Sequence, residues 1–174
     1  MTGVFMEEKF VFCPSCGKTG TLTIDIKRIR CSNCDMTYYK NVAAASACII
    51  EYEGKILFVE RNKEPKKGFL DLPGGFIDPG ESAETGIVRE CFEELAVKPV
   101  DLEYFISFPN IYEYKGFSYN TCDMIFTARL NSVDFNIDDK EIGKVVFIEK
   151  GKIDFERIAF PSIKKALKLF LKTE

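Results

Sequence analysis

The fold is decided by the segment Gly75–Val97, which reads GFIDPGESAETGIVRECFEELAV. Apolar residues recur in its second half at helical spacing, which predicts a helix over Glu81–Leu95. Glu90, Glu93 and Glu94 are related by steps of three and four residues, so their carboxylates project from one helix face. Like charges at this spacing repel one another. The pattern favours a hard divalent cation, Mg²⁺ or Mn²⁺, held by carboxylate oxygens.

A stretch rich in glycine and proline, Gly68–Gly80, precedes this helix. Glycine lets backbone amides and carbonyls approach a ligand closely. Carboxylates that hold a divalent cation beside an exposed backbone loop suit a phosphate or pyrophosphate substrate. A Glu-rich helix face taken alone is more often simply solvated, so the interpretation depends on the combined pattern.

The combined pattern resembles the Nudix box, in which a glycine, a glutamate, an Arg-Glu pair and a Glu-Glu pair stand at fixed spacing. Here these positions are Gly75, Glu81, Arg89, Glu90, Glu93 and Glu94. The approach to the box, Asp71–Gly75, is also similar to that of the family. Ala96 stands where the family has a glycine, and a left-handed backbone there would cost on the order of 1 kcal/mol.

The resemblance implies a metal site. Glu90 and Glu94 would be the principal ligands of Mg²⁺ or Mn²⁺, and Glu93 a further ligand or the general base. The carbonyl of Gly75 would add a ligand. Family members often recruit one more acid from outside the box, and Glu141 is the candidate in the acidic run that precedes the last predicted strand.

The resemblance also assigns catalytic roles. Arg89 would orient the glutamates, Glu81 would pair with Arg89, and Glu93 would accept the proton of the attacking water. The chain contains no histidine, which excludes histidine-based acid–base chemistry and histidine metal sites. A glutamate base is therefore nearly forced.

Four of the seven cysteines form two Cys-x-x-Cys pairs near the N-terminus. They are Cys13, Cys16, Cys31 and Cys34. Two such pairs can supply the four thiolates of a tetrahedral structural zinc, with disulfides or free thiols as the alternatives. Gly17 and Asp35 follow the pairs, where a turn needs residues that tolerate a left-handed backbone. Alternation over Thr21–Arg30 predicts one strand of a zinc ribbon.

Along the rest of the chain, Tyr38–Asn41 reads as a connector, and β-like runs joined by Glu53-Gly54 predict a hairpin. Further strands are expected near residues 102–108, 118–130 and 144–149, and a closing amphipathic helix over Phe160–Lys172. The expected fold is an α+β sandwich of the Nudix type, with a mixed sheet between helices. Residues 1–37 are predicted to form the ribbon with an N-terminal arm over residues 1–12, and residues 38–174 the hydrolase domain.

A four-cysteine ribbon ahead of a Nudix domain resembles the NADH pyrophosphatases. This implies hydrolysis of a nucleoside diphosphate linked to another moiety, such as ADP-ribose, a dinucleotide or a nucleotide sugar. The sequence does not distinguish this function from that of a phosphatase of damaged mononucleotides. Arg61, Phe108 and Tyr112 are candidate substrate contacts. A solvated loop is the preferred interpretation for Arg61, and packing within strands is at least as good an interpretation for the two aromatics.

The competing hypothesis is a ligand sensor or a nucleic-acid-associated module that binds through the basic stretch Lys27–Arg30 of the ribbon. The net charge of −3 makes nucleic acid a disfavoured partner. No apolar run reaches the roughly 20 residues of a membrane helix, and Met1–Phe10 does not resemble a signal peptide. The expectation is a cytoplasmic protein with a nucleotide-type substrate and no membrane partner, and a homodimer is plausible.

Overall fold

The computed structural model describes residues 10–173. Most of the predicted N-terminal arm, residues 1–9, lies outside this range. Contacts divide the chain into two compact units. The first comprises the N-terminal part up to Ala43 together with Ile111–Asn120, and the second comprises Ala44–Asn110 and the chain from Thr121 onward. The predicted domain boundary at residue 37 falls inside the first unit, and it stays a prediction.

The first unit contains a three-stranded antiparallel sheet. Its strands are β1 (Leu22–Ile24), β2 (Arg28–Cys31) and β3 (Thr37–Tyr39). The single strand expected over Thr21–Arg30 is instead a hairpin. The Asp25 carboxylate accepts hydrogen bonds from the amides of Lys27 (2.7 Å) and Arg28 (2.9 Å), which closes a turn in mid-segment. The expected connector Tyr38–Asn41 begins within β3.

A seven-stranded sheet forms the larger part of the fold. Its strands are β4 (Ala43–Tyr52), β5 (Lys55–Arg61), β6 (Leu70–Asp71), β7 (Gly74–Phe76), β8 (Val100–Tyr114), β9 (Phe117–Arg129) and β10 (Ile142–Glu149). The strand order is β10-β5-β4-β9-β8, with β6 paired to β5 and β7 paired to β4. The β4–β5 hairpin is confirmed, and both of its turn residues, Glu53 (φ 48°) and Gly54 (φ 73°), are left-handed.

Two helices cover the two faces of this sheet, as expected for the α+β sandwich. They are α1 (Ala83–Leu95) and α2 (Pro161–Thr173), and short 3₁₀ turns occupy Lys150–Lys152 and Phe155–Arg157. Alternate residues of β4 enter different cores, because side chains alternate across a strand. Ile49 packs in the core with Leu167 of α2, whereas Ile50 packs in the core with Leu95 of α1. Within residues 10–173, no helix is long and apolar enough to cross a membrane.

Candidate active site

The helix α1 is defined by clear signals at both ends. The side chain and backbone of Ser82 exchange hydrogen bonds with Thr85, which is a capping box. At the other end, Ala96 is left-handed (φ 58°), and its amide donates to the Phe92 carbonyl (2.8 Å). Glycine is the residue that suits this conformation, so the alanine carries the expected cost of about 1 kcal/mol.

Arg89 connects the acidic residues of the box. Its Nε and Nη2 donate to the two oxygens of Glu81 (2.8 and 3.0 Å). Its Nη1 donates to Glu90 and to Glu93, each at 2.9 Å. Nη2 also donates to the Phe76 carbonyl (3.0 Å). The hydrogen bond from Arg89 lowers the pKa of Glu81. One guanidinium thus fixes both the start of the box and two acids of the helix face.

Two glycines bring the backbone of β7 against the acids. A Cβ at Gly75 would lie 2.5 Å from Oε1 of Glu90, so the carboxylate rests directly on the glycine. The amide of Gly74 donates to Oε2 of Glu94 (3.1 Å). Gly74 is at φ 149°, and a Cβ there would lie 2.1 Å from the carbonyl oxygen of Ser46 on β4. Gly74 therefore requires glycine, whereas a side chain at Gly75 would displace the Glu90 carboxylate.

The site contains acids in poorly solvated surroundings. Glu94 is 8% exposed, and burial raises its pKa well above the ordinary value, with the charges of Glu90 and Glu141 adding to the effect. Burial also raises the pKa of Glu90, although Arg89 opposes the rise. Binding of a divalent cation would relieve this repulsion and restore the charged form of each acid.

The acidic run containing Glu141 lies beside α1. The amide of Asp138 donates to the Glu94 carbonyl (3.1 Å), and that of Asn136 donates to the Leu95 carbonyl (3.1 Å). These bonds satisfy carbonyls that a helix end leaves open. The Glu141 side chain forms an ion pair with Lys63. The negative charge of Glu141 contributes to the raised pKa of both Glu90 and Glu94.

The chemistry of the donors fits a hard cation, since all are carboxylate or carbonyl oxygens. Among residues 10–173, however, only the four cysteines bring three or more acidic or thiol ligand atoms within 4.8 Å of one another. Glu90 and Glu93 are instead engaged by Arg89. The carboxylates are assembled on one face but not converged on one point.

The candidate substrate residues differ in their surroundings. The guanidinium of Arg61 is largely buried and pairs with Asp71 (2.8 Å). Phe108 is half-buried against the core of the second unit, and Lys165 lies 5.9 Å from its ring. Tyr112 belongs to the first unit, with its ring 6.5 Å from that of Tyr114. Their contact with substrate stays a prediction. Asp71 lies in the approach to the box, and no local sequence pattern predicts its buried contact with Arg61.

The four cysteines of the first unit do come together. Their sulfur atoms all lie within 4.8 Å of one another, with Cys13–Cys34 and Cys16–Cys31 at 3.8 Å. The residues that follow the two pairs, Gly17 (φ 73°) and Asp35 (φ 55°), have the expected left-handed backbone. The cluster has the ligand type and number of a closed structural zinc site.

The protonation of the cluster also suits a metal. A hydrogen bond with the Thr21 hydroxyl lowers the pKa of Cys31 to about 6. The pKa of Cys34 is raised to about 11; the Met36 amide opposes this rise, and burial and the neighbouring sulfurs cause it. A cation bound by the cluster would hold all four sulfurs as thiolates.

Comparison with known proteins identifies the family. The NUDIX domain profile matches residues 40–168, which is well over half of the chain. The protein belongs to the NUDIX family, and the resemblance inferred from the box is confirmed.

Particular relatives add detail. The chain is 25% identical over 142 residues to the NAD-capped RNA hydrolase NudC of Photobacterium profundum, a match that covers 82% of this chain and 51% of that protein. It is 44% identical over 61 residues to the ADP-ribose pyrophosphatase of Methanocaldococcus jannaschii, covering 35% of this chain and 36% of that one. The chain therefore spans about half or less of the length of these curated relatives.

A solved structure confirms the fold over nearly the whole chain. The crystal structure of a NUDIX hydrolase from Nitrosomonas europaea superposes with a TM-score of 0.71 at 28% identity. The match covers 94% of this chain and 91% of that one.

Proposed function

We propose that this protein is a divalent-cation-dependent hydrolase that cleaves the pyrophosphate linkage of a nucleoside diphosphate joined to another moiety. ADP-ribose, a dinucleotide or a nucleotide sugar would be such a substrate. The observation that carries the proposal is the placement of Glu90 and Glu94 against the backbone of Gly74 and Gly75. NAD and ADP-ribose, the compounds in the names of two relatives, each contain a pyrophosphate bridge.

The metal would be Mg²⁺ or Mn²⁺, held by Glu90 and Glu94, with Glu93, the Gly75 carbonyl and Glu141 as further ligands. When bound, the cation withdraws charge from the pyrophosphate and lowers the pKa of a coordinated water. Release of Glu90 and Glu93 from Arg89 would let their oxygens turn toward one point.

Glu93 is the proposed general base. Its side chain is 58% exposed and is held on α1 by Arg89. Glu93 takes a proton from water, and the water oxygen forms a bond to one phosphorus. The bridging phosphorus–oxygen bond then breaks and the phosphate-bearing group leaves. Arg89 orients the acids before the cation binds, and Glu81 holds Arg89.

Aromatic rings offer faces on which a nucleobase can stack. Phe108 and Tyr112 are proposed as such contacts, each to be tested separately by substitution to alanine. A loss of affinity for substrate with kcat retained would support a binding role, and unchanged KM would contradict it.

The test of function uses a panel of substrates with Mg²⁺ or Mn²⁺: NADH, NAD⁺, ADP-ribose, NAD-capped RNA, diadenosine polyphosphates, nucleotide sugars and nucleoside triphosphates. Products are separated by chromatography. We expect metal-dependent release of AMP from one or more dinucleotide or ADP-ribose substrates. The variant Glu93→Gln should lower kcat by about 10²- to 10⁴-fold.

The matched control is Glu156→Gln, because Glu156 is 94% exposed and far from the box in sequence. It should retain full activity. Unchanged turnover in Glu93→Gln would contradict the proposed role of Glu93. Salt-sensitive retention of RNA without hydrolysis of any substrate would favour the binding-module alternative.

A second proposal concerns the first unit. Cys13, Cys16, Cys31 and Cys34 are proposed to hold one structural zinc, supported by their mutual distances. A closed site of four thiolates leaves no open position, so this metal would stabilise the fold and take no part in hydrolysis. Assembly as a homodimer stays a prediction.

A further inference from the structure

A buried ion pair adjoins the loop that approaches the acids. Nη1 of Arg61 donates to Oδ2 of Asp71 at 2.8 Å, with side chains only 12% and 11% exposed. Arg61 ends β5 and Asp71 ends β6, and these strands pair with each other. The pair lies outside the box and takes no part in the reaction proposed above.

Asp71 connects this pair to the loop Leu72–Gly75. Its second oxygen, Oδ1, accepts a hydrogen bond from the Leu72 amide (2.9 Å). Further along the same segment, where β7 begins, the Gly74 amide donates to Glu94, and the Glu90 carboxylate lies against Gly75. On its other side the loop is held by β4, whose Cys48 amide donates to the Pro73 carbonyl (3.0 Å). Asp71 therefore fixes the start of the loop whose end meets the acids.

Arg61 is itself held from several directions. Its Nε donates to the Pro65 carbonyl (2.8 Å), and its guanidinium carbon lies 5.0 Å from the centre of the Phe160 ring. The backbone amide of Arg61 donates to the Phe69 carbonyl (2.9 Å). A planar guanidinium can use its edges and its face at the same time, which a lysine ammonium cannot.

The pair is a poor source of net stability. Taking two charges out of water costs as much as their attraction returns, and apolar replacements are often neutral or stabilising. Nη2 of Arg61 is buried with no hydrogen-bond partner among the described residues, which adds to the cost. The pair instead fixes the orientation of the Asp71 carboxylate, because its two oxygens accept hydrogen bonds from two different donors.

We propose that Arg61 and Asp71 are positioning residues that set the path of Leu72–Gly75, and through it the geometry of the acids that bind the divalent cation. This inference rests on the proposed function. In this role Arg61 acts through Asp71 and the backbone that follows it.

The experiment compares Arg61→Lys and Asp71→Asn with Leu167→Ala, a destabilising variant of α2 that lies in the same apolar cluster as Leu72 but changes neither member of the ion pair. Three quantities are measured: melting temperature, Mn²⁺ affinity from the electron paramagnetic resonance signal of free Mn²⁺, and hydrogen exchange at the Leu72 and Gly74 amides. We expect Mn²⁺ affinity to fall about 10- to 100-fold in both ion-pair variants. The rate of hydrogen exchange at the Gly74 amide should rise by at least the same factor.

A double variant, Arg61→Met with Asp71→Leu, separates positioning from stability. Removing both charges should restore the melting temperature, while Mn²⁺ affinity and Gly74 protection stay reduced. The inference is overturned if Mn²⁺ affinity is unchanged in the single variants, or if it falls equally in Leu167→Ala at the same loss of melting temperature.

The readouts distinguish this inference from the proposed function. A wild-type protein that binds Mn²⁺ but hydrolyses no member of the panel would contradict the proposed function and leave the loop measurements decisive. A wild-type protein that hydrolyses substrate, with Gly74 exchange unaffected by Asp71→Asn, would contradict the positioning role alone.

Discussion

The two units of the chain differ in what holds them together. Within the described part of the first unit, only Cys13, Ile29 and Cys31 are buried. Large side chains such as Ile26 (87% exposed) and Tyr39 (59% exposed) lie in solvent there. The second unit instead buries apolar residues on both faces of one sheet. A small unit without a core needs a cross-link, and clustered thiols can supply one through a metal.

The largest effect should come from removing that cross-link. Chelation of zinc, or the variant Cys31→Ser, should unfold β1–β3, because metal binding in comparable small sites supplies roughly 10–16 kcal/mol. Hydrogen exchange with mass spectrometry should then show loss of protection over residues 22–39 and retention over residues 47–59.

The control for this prediction is Cys122→Ser, since Cys122 lies outside the cluster. It should keep one zinc per chain by elemental analysis. Protection of β1–β3 that survives complete metal removal would show that the first unit has another source of stability.

The second unit should respond to loss of apolar volume instead. Leu167 is fully buried between α2 and the sheet, so Leu167→Ala should cost about 2–5 kcal/mol in urea unfolding. Tyr39→Ala, in an exposed position of β3, should stay within about 0.5 kcal/mol. Equal costs for the two variants would erase the distinction between the units.

A pH effect of intermediate size should arise in the second unit. Burial raises the pKa of Asp71 from 3.8 to about 6, against the opposing charge of Arg61. The folded protein keeps this proton to higher pH than the unfolded chain, so unfolding releases a proton between about pH 4 and 6. Stability should therefore fall as pH rises through this window, by at most about 3 kcal/mol.

Urea unfolding between pH 4 and 7 measures this slope. Asp71→Asn should reduce this slope and leave the part due to Glu94, whose pKa burial also raises. Asp101→Asn, at an exposed carboxylate, should leave the slope unchanged. If the stability of the wild type rises with pH over this window and that of Asp71→Asn does not, the contribution of Asp71 has the opposite sign to the predicted one.

The smallest effect concerns one backbone angle. Ala96→Gly should stabilise the second unit by about 1 kcal/mol, because position 96 is left-handed. Ala83→Gly, within helix α1, should destabilise it by up to about 1 kcal/mol. Chemical denaturation of the two variants should thus move in opposite directions.

Local patterns explain how much the sequence could predict. The helix of the box and the Glu53-Gly54 hairpin depend on residues close in the chain, and both agree with the structure within a few residues. The Asp25 carboxylate can accept hydrogen bonds from amides two and three residues ahead, which is a local signal for a turn. The alternation of Thr21–Arg30 predicted an uninterrupted strand instead.

Other features depend on contacts that no local pattern contains. The short strands β6 and β7 exist because they pair with β5 and β4, and glycine-rich sequence alone reads as loop. The partner of Arg61, Asp71, lies ten residues further along the chain. From the local sequence alone, a charged residue next to a predicted loop is expected to be solvated. The proximity of the acidic run at Glu141 to the box also depends on the fold.

The contacts of Arg89 bear on how the site can move. Residues 78–80 are exposed and contain proline and glycine, a composition usual for a segment that fluctuates on the nanosecond timescale. Both ends of this segment are tied to one guanidinium, through the Phe76 carbonyl and through Glu81. These contacts couple the segment to α1. A protease should therefore find few cuts within residues 76–95.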